Sequence, residues 1–316
     1  MRILVTGAAG FIGSHVCEAL VSRGNNVIGV DNFDSFLYNR RIKERNIAAL
    51  KKNRLFKLVR ADIRDTKRMK SLVAQAKPEA VIHLAAKAGV RPSLERPLEY
   101  ADVNVNGTIS LLEACKNAKL KTFIFGSSSS VYGINNKVPF SEEDPIAQPI
   151  SPYAASKRAA ELFCFTYSHL YGIPVTVLRL FTVYGPRQRP DLAIHKFVRL
   201  ISEGKEIPVF GDGSMKRDYT YIDDIVQGIL AALEKPFSFE IFNLGGSRTV
   251  SLNELITLIE KNVGKKAKIT HLPPQPGDVP ITYADISKAR RMLGYEPRTS
   301  IDEGIKKFVR WFRENG

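Results

Sequence analysis

Cysteine is scarce in this sequence of 316 residues, which contains only three. Cys17, Cys115 and Cys164 each stand alone in a helix-like segment with apolar neighbours, and no Cys-x-x-Cys pair or histidine cluster occurs. Structural zinc sites need several such ligands at short spacings, and a disulfide framework needs paired cysteines. The sequence therefore predicts buried free thiols, no metal site and a reducing compartment.

Long hydrophobic runs are also absent. No segment approaches the roughly 20 consecutive apolar residues that cross a bilayer. The sequence begins on a strand-like segment, residues 2–6, rather than on a charged leader with a cleavage site. Its hydrophobic content of 44% and charged content of 25% are those of an ordinary globular protein. We therefore expect a cytoplasmic protein without a membrane partner.

Acidic residues are too few to balance the basic ones, and the net charge is +15. Nucleic-acid binding is one explanation, but basic residues alternate with acidic ones, as in residues 40–45, and no aromatic-basic RNA motif occurs. A solvated basic surface together with a small polyanionic substrate explains the charge more simply. We expect no nucleic-acid partner.

A glycine-rich turn joins the first strand-like segment to a helix-like segment. Residues 7–13 read Gly-Ala-Ala-Gly-Phe-Ile-Gly, and an amphipathic pattern continues from them. Such a turn binds pyrophosphate, because its bare backbone lets the anion approach and the free N–H groups of the helix face it. Asp31 ends the next strand-like segment about 20 residues later, where an acid accepts ribose hydroxyls of NAD and repels the 2′-phosphate of NADP.

Strand-like and helix-like segments continue to alternate after this turn. The next strand-like segments are residues 55–59, 80–85 and 122–125. This repetition predicts an α/β fold with a Rossmann-type, doubly wound parallel sheet that binds ligands at the carboxyl ends of its strands. We expect residues 1–180 to form the NAD-binding domain, completed by part of residues 218–248. Residues 181–316 are expected to form a smaller C-terminal substrate-binding domain, interleaved with the first.

Several residues fall at the predicted carboxyl ends of these strands. Asp62 and Ile63 are placed to receive the adenine edge, and residues 84–86 are placed along the path of the pyrophosphate. His83 lies inside its strand, so we expect it to be a packed core histidine rather than a catalytic one.

Tyr153 and Lys157 are four residues apart in a helix-like segment and therefore share one helix face. An unperturbed tyrosine keeps its proton up to a pH of about 10, whereas a cation held nearby favours the phenolate. We interpret Tyr153 as a base that removes a hydroxyl proton at physiological pH. The alternative is an amphipathic helix with a core tyrosine and a surface lysine. Residues 127–130 are serines at a predicted strand end, where a hydroxyl is able to bridge the substrate and the phenol.

Together these motifs resemble the extended short-chain dehydrogenase/reductase family, and within it the nucleotide-sugar 4-epimerases. The resemblance covers nearly the whole sequence. It implies that Tyr153 is the base, that Lys157 lowers the pKa of Tyr153 and binds a ribose, and that Ser128 orients the substrate O4. The residues expected to bind NAD are Gly7, Gly10, Phe11, Ile12, Gly13, Asp31, Asn32, Asp62, Ile63, Leu84, Ala85, Ala86, Asn104, Tyr153 and Lys157.

The serine run also separates this sequence from related enzymes. In the similar 4,6-dehydratases the two positions after Ser128 resemble an Asp-Glu pair, and decarboxylases carry a Glu nearby. Here Ser129 and Ser130 occupy these positions, and serine does no proton chemistry at neutral pH without an activating base. Elimination and decarboxylation are therefore disfavoured, which leaves oxidation at one sugar carbon and reduction back.

Residues 178–193 are similar to a segment of UDP-glucuronate 4-epimerases. Hexose epimerases typically have Asn at the position of Thr182, whereas Thr-Val-Tyr-Gly-Pro followed by Arg-Pro-Asp resembles the glucuronate enzymes. Hydroxyl and guanidinium donors suit a C6 carboxylate. We expect Arg189 with Thr182 to bind this carboxylate and rank Arg187 second. The alternative for each arginine is a solvated basic loop.

The resemblance also implies contacts to the nucleotide of the substrate. Val209 and Phe210 correspond to residues that flank the uracil, and Arg217 corresponds to one that clamps the diphosphate. Asp278 is expected to accept a ribose hydroxyl, although Gln275 replaces the arginine that many relatives have. The full expected substrate-binding set is Ser128, Ser129, Thr182, Arg189, Arg187, Arg91, Val209, Phe210, Arg217 and Asp278.

The sequence thus predicts an NAD-dependent isomerase acting at C4 of a UDP-sugar, most closely the conversion of UDP-glucuronate to UDP-galacturonate through a 4-keto sugar. NAD is expected to be tightly bound and regenerated in each turnover. One alternative is a UDP-glucose or UDP-N-acetylglucosamine 4-epimerase, and another is a non-catalytic NAD-binding regulatory protein. The resemblance also implies a homodimer, formed through helices near residues 97–117 and 152–171.

Overall fold

The computed structural model describes residues 1–135, 137–274 and 279–315. Its strands are β1 (Arg2–Thr6), β2 (Asn26–Asp31), β3 (Phe56–Arg60), β4 (Ala80–His83), β5 (Thr122–Ser128), β6 (Val175–Leu180), β7 (Thr182–Tyr184), β8 (Glu206–Phe210), β9 (Lys216–Tyr221), β10 (Phe239–Leu244), β11 (Thr249–Ser251) and β12 (Lys268–Leu272). Its α-helices are α1 (Phe11–Ser22), α2 (Arg40–Asn46), α3 (Thr66–Ala76), α4 (Val90–Glu95), α5 (Pro97–Ala101), α6 (Gly107–Cys115), α7 (Pro152–Tyr171), α8 (Ala193–Ser202), α9 (Ile222–Glu234), α10 (Leu252–Val263), α11 (Ser287–Leu293) and α12 (Ile301–Asn315). A π-helical turn, Asp102–Asn106, joins α5 to α6.

Seven parallel strands form the main sheet, in the order β3-β2-β1-β4-β5-β6-β10. β4 and β5 are buried along their whole length, because helices cover both faces of the sheet. The predicted Rossmann-type α/β fold is therefore confirmed. β2 and β3 continue from β1 to one side and β4 begins the other side, which leaves a crevice at the carboxyl ends of β1 and β4.

Two hydrophobic cores lie on the two faces of this sheet. One includes side chains of α1 and α9, and the other includes side chains of α3, α6 and α7. The three cysteines are divided between these cores and are all buried free thiols. His83 is also buried, between the hydroxyls of Thr6 and Thr108 at 2.6 and 3.0 Å, and burial lowers its pKa to about 3. The expectation of a neutral, packed core histidine is confirmed.

The remaining strands form two small sheets, β11-β9-β7 and β12-β8. Helices α8, α10 and α12 pack beside them, and Phe308 and Trp311 of α12 contact His195 of α8 edge-on. Between these elements the chain returns to the main sheet, where β10 pairs with β6 and α9 packs against α1. Within the described residues, no helix is long and apolar enough to span a membrane.

Candidate active site

A cleft opens at the carboxyl ends of the central strands, where the strand order reverses. It is lined by eighteen of the residues expected from the sequence to bind cofactor or substrate. These are Gly7, Gly10, Phe11, Ile12, Gly13, Asp31, Asn32, Asp62, Ile63, Leu84, Ala85, Ala86, Ser128, Ser129, Tyr153, Lys157, Thr182 and Arg189. The fold therefore brings together residues from both halves of the chain.

The glycine turn between β1 and α1 is closely packed. Gly7 has a φ of +72°, and a Cβ on Gly13 would lie 2.1 Å from the Gly7 carbonyl oxygen, so neither position accepts a side chain. α1 begins after Gly10, and no side chain caps its N-terminus. Free N–H groups at the start of this 12-residue helix line the cleft and fit a dinucleotide diphosphate.

The Asp31 carboxylate is held in place at the end of β2. Its two oxygens accept hydrogen bonds from the backbone N–H groups of Ala9 at 3.1 Å and Phe33 at 2.8 Å. Each carboxylate oxygen has a second lone pair, so Asp31 remains able to accept ribose hydroxyls. Lys43 of α2 also lines the cleft, with its Nζ 3.5 Å from Asp31 Oδ1. Lys43 was not predicted to lie here, because the sequence of α2 contains no recognisable motif.

Asp62 is fixed at the end of the next strand along the sheet. Arg64 donates to both of its oxygens, at 3.0 and 2.8 Å, and Asn32 donates at 3.0 Å. These hydrogen bonds, led by those from Arg64, lower the pKa of Asp62 to about 2. The carboxylate is therefore charged and oriented beside Ile63, in the part of the cleft where the sequence predicts the adenine.

Tyr153, Lys157 and Ser128 meet at the opposite side of the cleft. Ser151 caps α7, with its hydroxyl accepting from the Ala154 N–H at 3.1 Å, so Tyr153 lies in the first helical turn and Lys157 in the second. Lys157 is buried and donates to the Gly126 carbonyl at 2.7 Å. The Ser128 hydroxyl, two residues after that carbonyl, donates to the Ser130 hydroxyl at 3.1 Å and lies in the same cleft as the Tyr153 phenol, whose pKa it lowers. The expected constellation is thus assembled around the end of β5.

The electrostatics of Tyr153 differ from the expectation. Burial raises its pKa above the usual 10, and this rise is opposed by the hydrogen bond from Ser128 and by the charge of Arg189. Burial also lowers the pKa of Lys157 to about 8, against the opposing charge of Glu161. Among the described residues, Arg189 is a cation that lowers the pKa of Tyr153, and the lowering by Lys157 that the resemblance implies stays a prediction.

A buried ion pair supports the strand end that carries Ser128. Arg179 of β6 donates to both oxygens of Glu161 of α7, at 3.1 and 3.0 Å, and both side chains are only 1% exposed. Glu161 also accepts from the Ser127 hydroxyl at 2.6 Å. Lys157 and Glu161, one helical turn apart, therefore tie α7 to Gly126 and Ser127, immediately before Ser128.

Replacing Arg179 with Met is expected to lower the free energy of unfolding by about 3–5 kcal/mol, because the buried Glu161 carboxylate loses its bidentate partner. Urea denaturation measures this change. Arg298→Met is the control, since Arg298 pairs with Glu296 on the surface, where solvent screens an ion pair and its loss should change the stability little. Similar losses in both variants would mean that the buried pair contributes no more than a surface pair.

Asn104 lies behind the cleft rather than in its lining. Its amide accepts from the Lys87 N–H at 2.8 Å, donates to the Lys87 carbonyl at 2.9 Å and donates to the Ser156 hydroxyl at 2.9 Å. These protein groups engage both ends of the buried side chain, and the expected contact of Asn104 with the cofactor stays a prediction. Asn104 instead fastens the loop after β4 to α7.

The two arginines of the 185–189 loop have different positions. Arg189 lines the cleft with Thr182, and its Nε and Nη2 donate to Asp191 at 3.1 and 2.7 Å. Three of its five N–H groups remain to meet an anion. Arg187 points to α1, where Glu18 accepts at 2.8 and 2.9 Å and Ser14 at 3.3 Å. Arg187 is therefore not among the residues that line the cleft, and its expected contact with the substrate stays a prediction.

The residues expected to surround the nucleotide of the substrate lie outside this lining. The side chain of Val209 is fully buried in the core, so a base beside it would meet its main chain, and the expected position of Val209 next to the uracil stays a prediction. Phe210 is covered by the Arg91 guanidinium, 4.3 Å from the ring centroid. Arg217 of β9 donates to the Lys216 carbonyl at 2.9 Å. Asp278 and Gln275 fall outside the described residues.

A phenol, a hydroxyl and an ammonium beside a dinucleotide-binding turn define the class of the protein, that of the short-chain dehydrogenases/reductases. Over residues 1–135, 137–274 and 279–315, no group of three or more His, Cys, Asp and Glu side chains is arranged to hold a metal ion. A model of the GDP-mannose 4,6 dehydratase family matches residues 4–308, and the chain belongs to this family of extended short-chain dehydrogenases/reductases.

Similar proteins include several 4-epimerases. The UDP-glucuronate 4-epimerase of Thermodesulfobacterium geofontis (strain OPF15) is 47% identical over 313 residues, covering 99% of this chain and 96% of that protein. A crystal structure of the Bacillus cereus UDP-glucuronic acid 4-epimerase with UDP-glucuronic acid and NAD has a TM-score of 0.94 at 42% identity. The Thermotoga maritima UDP-glucose 4-epimerase with UDP-glucose has a TM-score of 0.92 at 39% identity. Each of these two comparisons covers 99% of both chains.

Proposed function

We propose that this protein is an NAD-dependent 4-epimerase that interconverts UDP-glucuronate and UDP-galacturonate. The observation that carries the choice of sugar is the position of Arg189 and Thr182 in the same cleft as Tyr153. A guanidinium and a hydroxyl are suitable donors for a C6 carboxylate. The high identity to a UDP-glucuronate 4-epimerase over nearly the full length supports the same choice.

The residues of the cleft have the arrangement that NAD requires. The glycine turn and the N-terminus of α1 are suited to hold the diphosphate, Asp31 the adenosine ribose, and Lys157 the second ribose. Bound NAD supplies the acceptor and donor for the hydride that leaves and returns to the sugar C4.

Tyr153 is the proposed acid and base of the reaction. Its phenolate takes the proton from the sugar O4 as C4 is oxidised to a ketone, and Ser128 holds O4 and the phenol in line through its hydroxyl. The 4-keto sugar then turns about its link to the diphosphate and presents its other face. Tyr153 returns the proton to O4 as C4 is reduced, so each turnover consumes no external oxidant.

Separate incubations with UDP-glucuronate, UDP-glucose and UDP-N-acetylglucosamine test this proposal. Each reaction contains the purified protein without added NAD, and the products are separated by chromatography. We expect UDP-galacturonate from UDP-glucuronate, with little product from the neutral sugars. Preferential conversion of UDP-glucose would instead identify a hexose 4-epimerase, an alternative favoured by the similarity to the Thermotoga maritima enzyme. Binding of NAD without turnover of any sugar would favour a regulatory protein.

We also propose that the protein forms a homodimer in the cytoplasm. Apolar side chains are exposed on two neighbouring helices, with Leu98 of α5 84% exposed and Leu162 and Leu170 of α7 51% and 61% exposed. A second copy that presents the same surface would bury these exposed apolar side chains of α5 and α7 in an interface with two-fold symmetry. The three buried free thiols fit a reducing compartment.

Replacing Leu162 with Glu is expected to convert the dimer to a monomer, because the new charge would be buried at the centre of the interface. Size-exclusion chromatography with light scattering should give twice the 35.3 kDa chain mass for the wild type and the single mass for the variant. Ile269→Glu, on the exposed strand β12, is the control and should leave the mass unchanged. A monomeric wild type would contradict the proposal.

A further inference from the structure

The loop that carries Arg189 is fastened to α1, the helix whose N-terminus lies at the cofactor cleft. His15 of α1 contacts the Pro186 carbonyl at 2.9 Å, and the Nε2 of its ring must carry the proton because a carbonyl only accepts. Burial, with the charge of Arg187, lowers the pKa of His15 to about 4, so the ring is neutral at physiological pH. The Nη2 of Arg187 donates to both carboxylate oxygens of Glu18, and its Nη1 donates to the Ser14 hydroxyl. We call these contacts the α1 brace.

The backbone of the loop needs this support. Arg187 has a φ of +66°, a conformation that is strained for a residue with a side chain and that persists only where surrounding contacts impose it. On the other side of the brace, His195 of α8 contacts the Gln188 carbonyl at 2.6 Å. The loop is therefore held from both sides immediately before Arg189.

The guanidinium of Arg189 is oriented separately by Asp191, which accepts from its Nε and one Nη2 hydrogen. The remaining donors face the cleft, so a small displacement of the backbone at residue 188 would move them relative to any anion bound there. Such positioning matters most for a bidentate contact between Arg189 and a carboxylate, because both N–H···O bonds depend on the orientation of the guanidinium plane.

We propose that Arg187 is a positioning residue for substrate specificity. Its contacts with Glu18 and Ser14 hold Arg189 at a fixed position relative to α1, so that Arg189 recognises the carboxylate of the sugar. This inference rests on the proposed function. Arg187 then acts on the substrate only through Arg189. Weakening the α1 brace should lower affinity for a glucuronate, whereas the affinity for the UDP portion, which binds elsewhere, should be unchanged.

Isothermal titration of the NAD-saturated protein with UDP-glucuronate and with UDP tests the inference. For Arg187→Gln and for Glu18→Gln we expect binding of UDP-glucuronate to weaken by about 10-fold, in line with the loss of charge-assisted hydrogen bonds. The dissociation constant of UDP should stay within about 2-fold of the wild type, which also shows that the variants fold. Titration with NAD alone should likewise show little change.

Two further variants separate the brace from a general structural effect. Arg23→Gln is the matched control, because Arg23 follows the end of α1 and pairs with Glu234 on the surface, far from the loop. It should bind UDP-glucuronate as the wild type does. The double variant with Glu18→Gln and Arg187→Gln should be no worse than either single one, since both remove the same interaction.

Three outcomes would overturn the inference. Wild-type affinity for UDP-glucuronate in both single variants, equal weakening for UDP and UDP-glucuronate, or additive losses in the double variant would each remove Arg187 from this role. Failure of the proposed function is distinguished by the wild type itself. If the wild type does not convert UDP-glucuronate, both proposals fail. If the wild type converts it and the variants bind UDP-glucuronate as tightly as the wild type does, only the inference about the α1 brace fails.

Discussion

Replacing Tyr153 with Phe is expected to lower kcat by about 10³- to 10⁴-fold, because the variant has no group to take the O4 proton. Steady-state assay with UDP-glucuronate measures this loss. The variant should still fold and bind NAD, since the glycine turn, Asp31 and Lys157 are unchanged. NAD binding by titration and the thermal midpoint are the measurements that separate lost chemistry from lost structure.

Tyr100→Phe is the matched control for this experiment. The two rings meet edge-on with centroids 6.2 Å apart, and the Tyr100 hydroxyl donates to the Ala88 carbonyl at 3.0 Å, but Tyr100 itself is not among the residues that line the cleft. Loss of that hydrogen bond should cost stability of about 1 kcal/mol and leave kcat within about 10-fold of the wild type. Near-normal activity of Tyr153→Phe would remove the phenol from the mechanism.

Replacing Arg189 with Gln is expected to lower kcat/KM for UDP-glucuronate by about 10²-fold, and to lower it much less for UDP-glucose. The larger loss for UDP-glucuronate is expected because the variant lacks the charged guanidinium that binds the carboxylate, and a neutral sugar has no carboxylate to bind. Measuring kcat/KM for both substrates separates carboxylate binding from a general disturbance of the cleft. Equal losses for both sugars would contradict the assignment of Arg189 to the carboxylate.

Arg189→Gln is also expected to change the pH dependence of the rate. The positive charge of Arg189 lowers the pKa of Tyr153, so its removal raises that pKa, and the phenolate then forms only at higher pH. The rising limb of the pH profile should therefore move to higher pH. Arg189→Lys keeps the charge but loses the planar fork, so it should leave this limb in place while still weakening UDP-glucuronate binding. If the rising limb of the pH profile is the same in Arg189→Gln as in the wild type, the charge of Arg189 does not set the pKa of Tyr153.

Most of the cofactor side of the cleft follows from local sequence. The glycine turn, Asp31 and Asp62 each occupy the end of a strand, and parallel strands bring their carboxyl ends to one edge. Tyr153 and Lys157 share a helix face whatever the rest of the chain does. These features need no knowledge of tertiary contacts, which is why pattern and spacing were sufficient to predict them.

The partners of the charged side chains did not follow from pattern. Arg187 and Arg189 are two residues apart in one motif, yet one pairs with Glu18, 169 residues away in sequence, and the other lines the cleft. Asn104 and Val209 were assigned to ligands, but the first is engaged by backbone and hydroxyl groups and the second is buried in the core.

The sequence by itself determined the α/β fold, the dinucleotide-binding turn and the pairing of a phenol with an ammonium, because each depends on residues that are neighbours along the chain or on strands of known direction. Only the tertiary structure showed that the charge of Arg189 acts on Tyr153 and that Arg189, rather than Arg187, lines the cleft. Burial and charge at a point in space depend on segments far apart in sequence, and a periodic pattern carries no information about those distances.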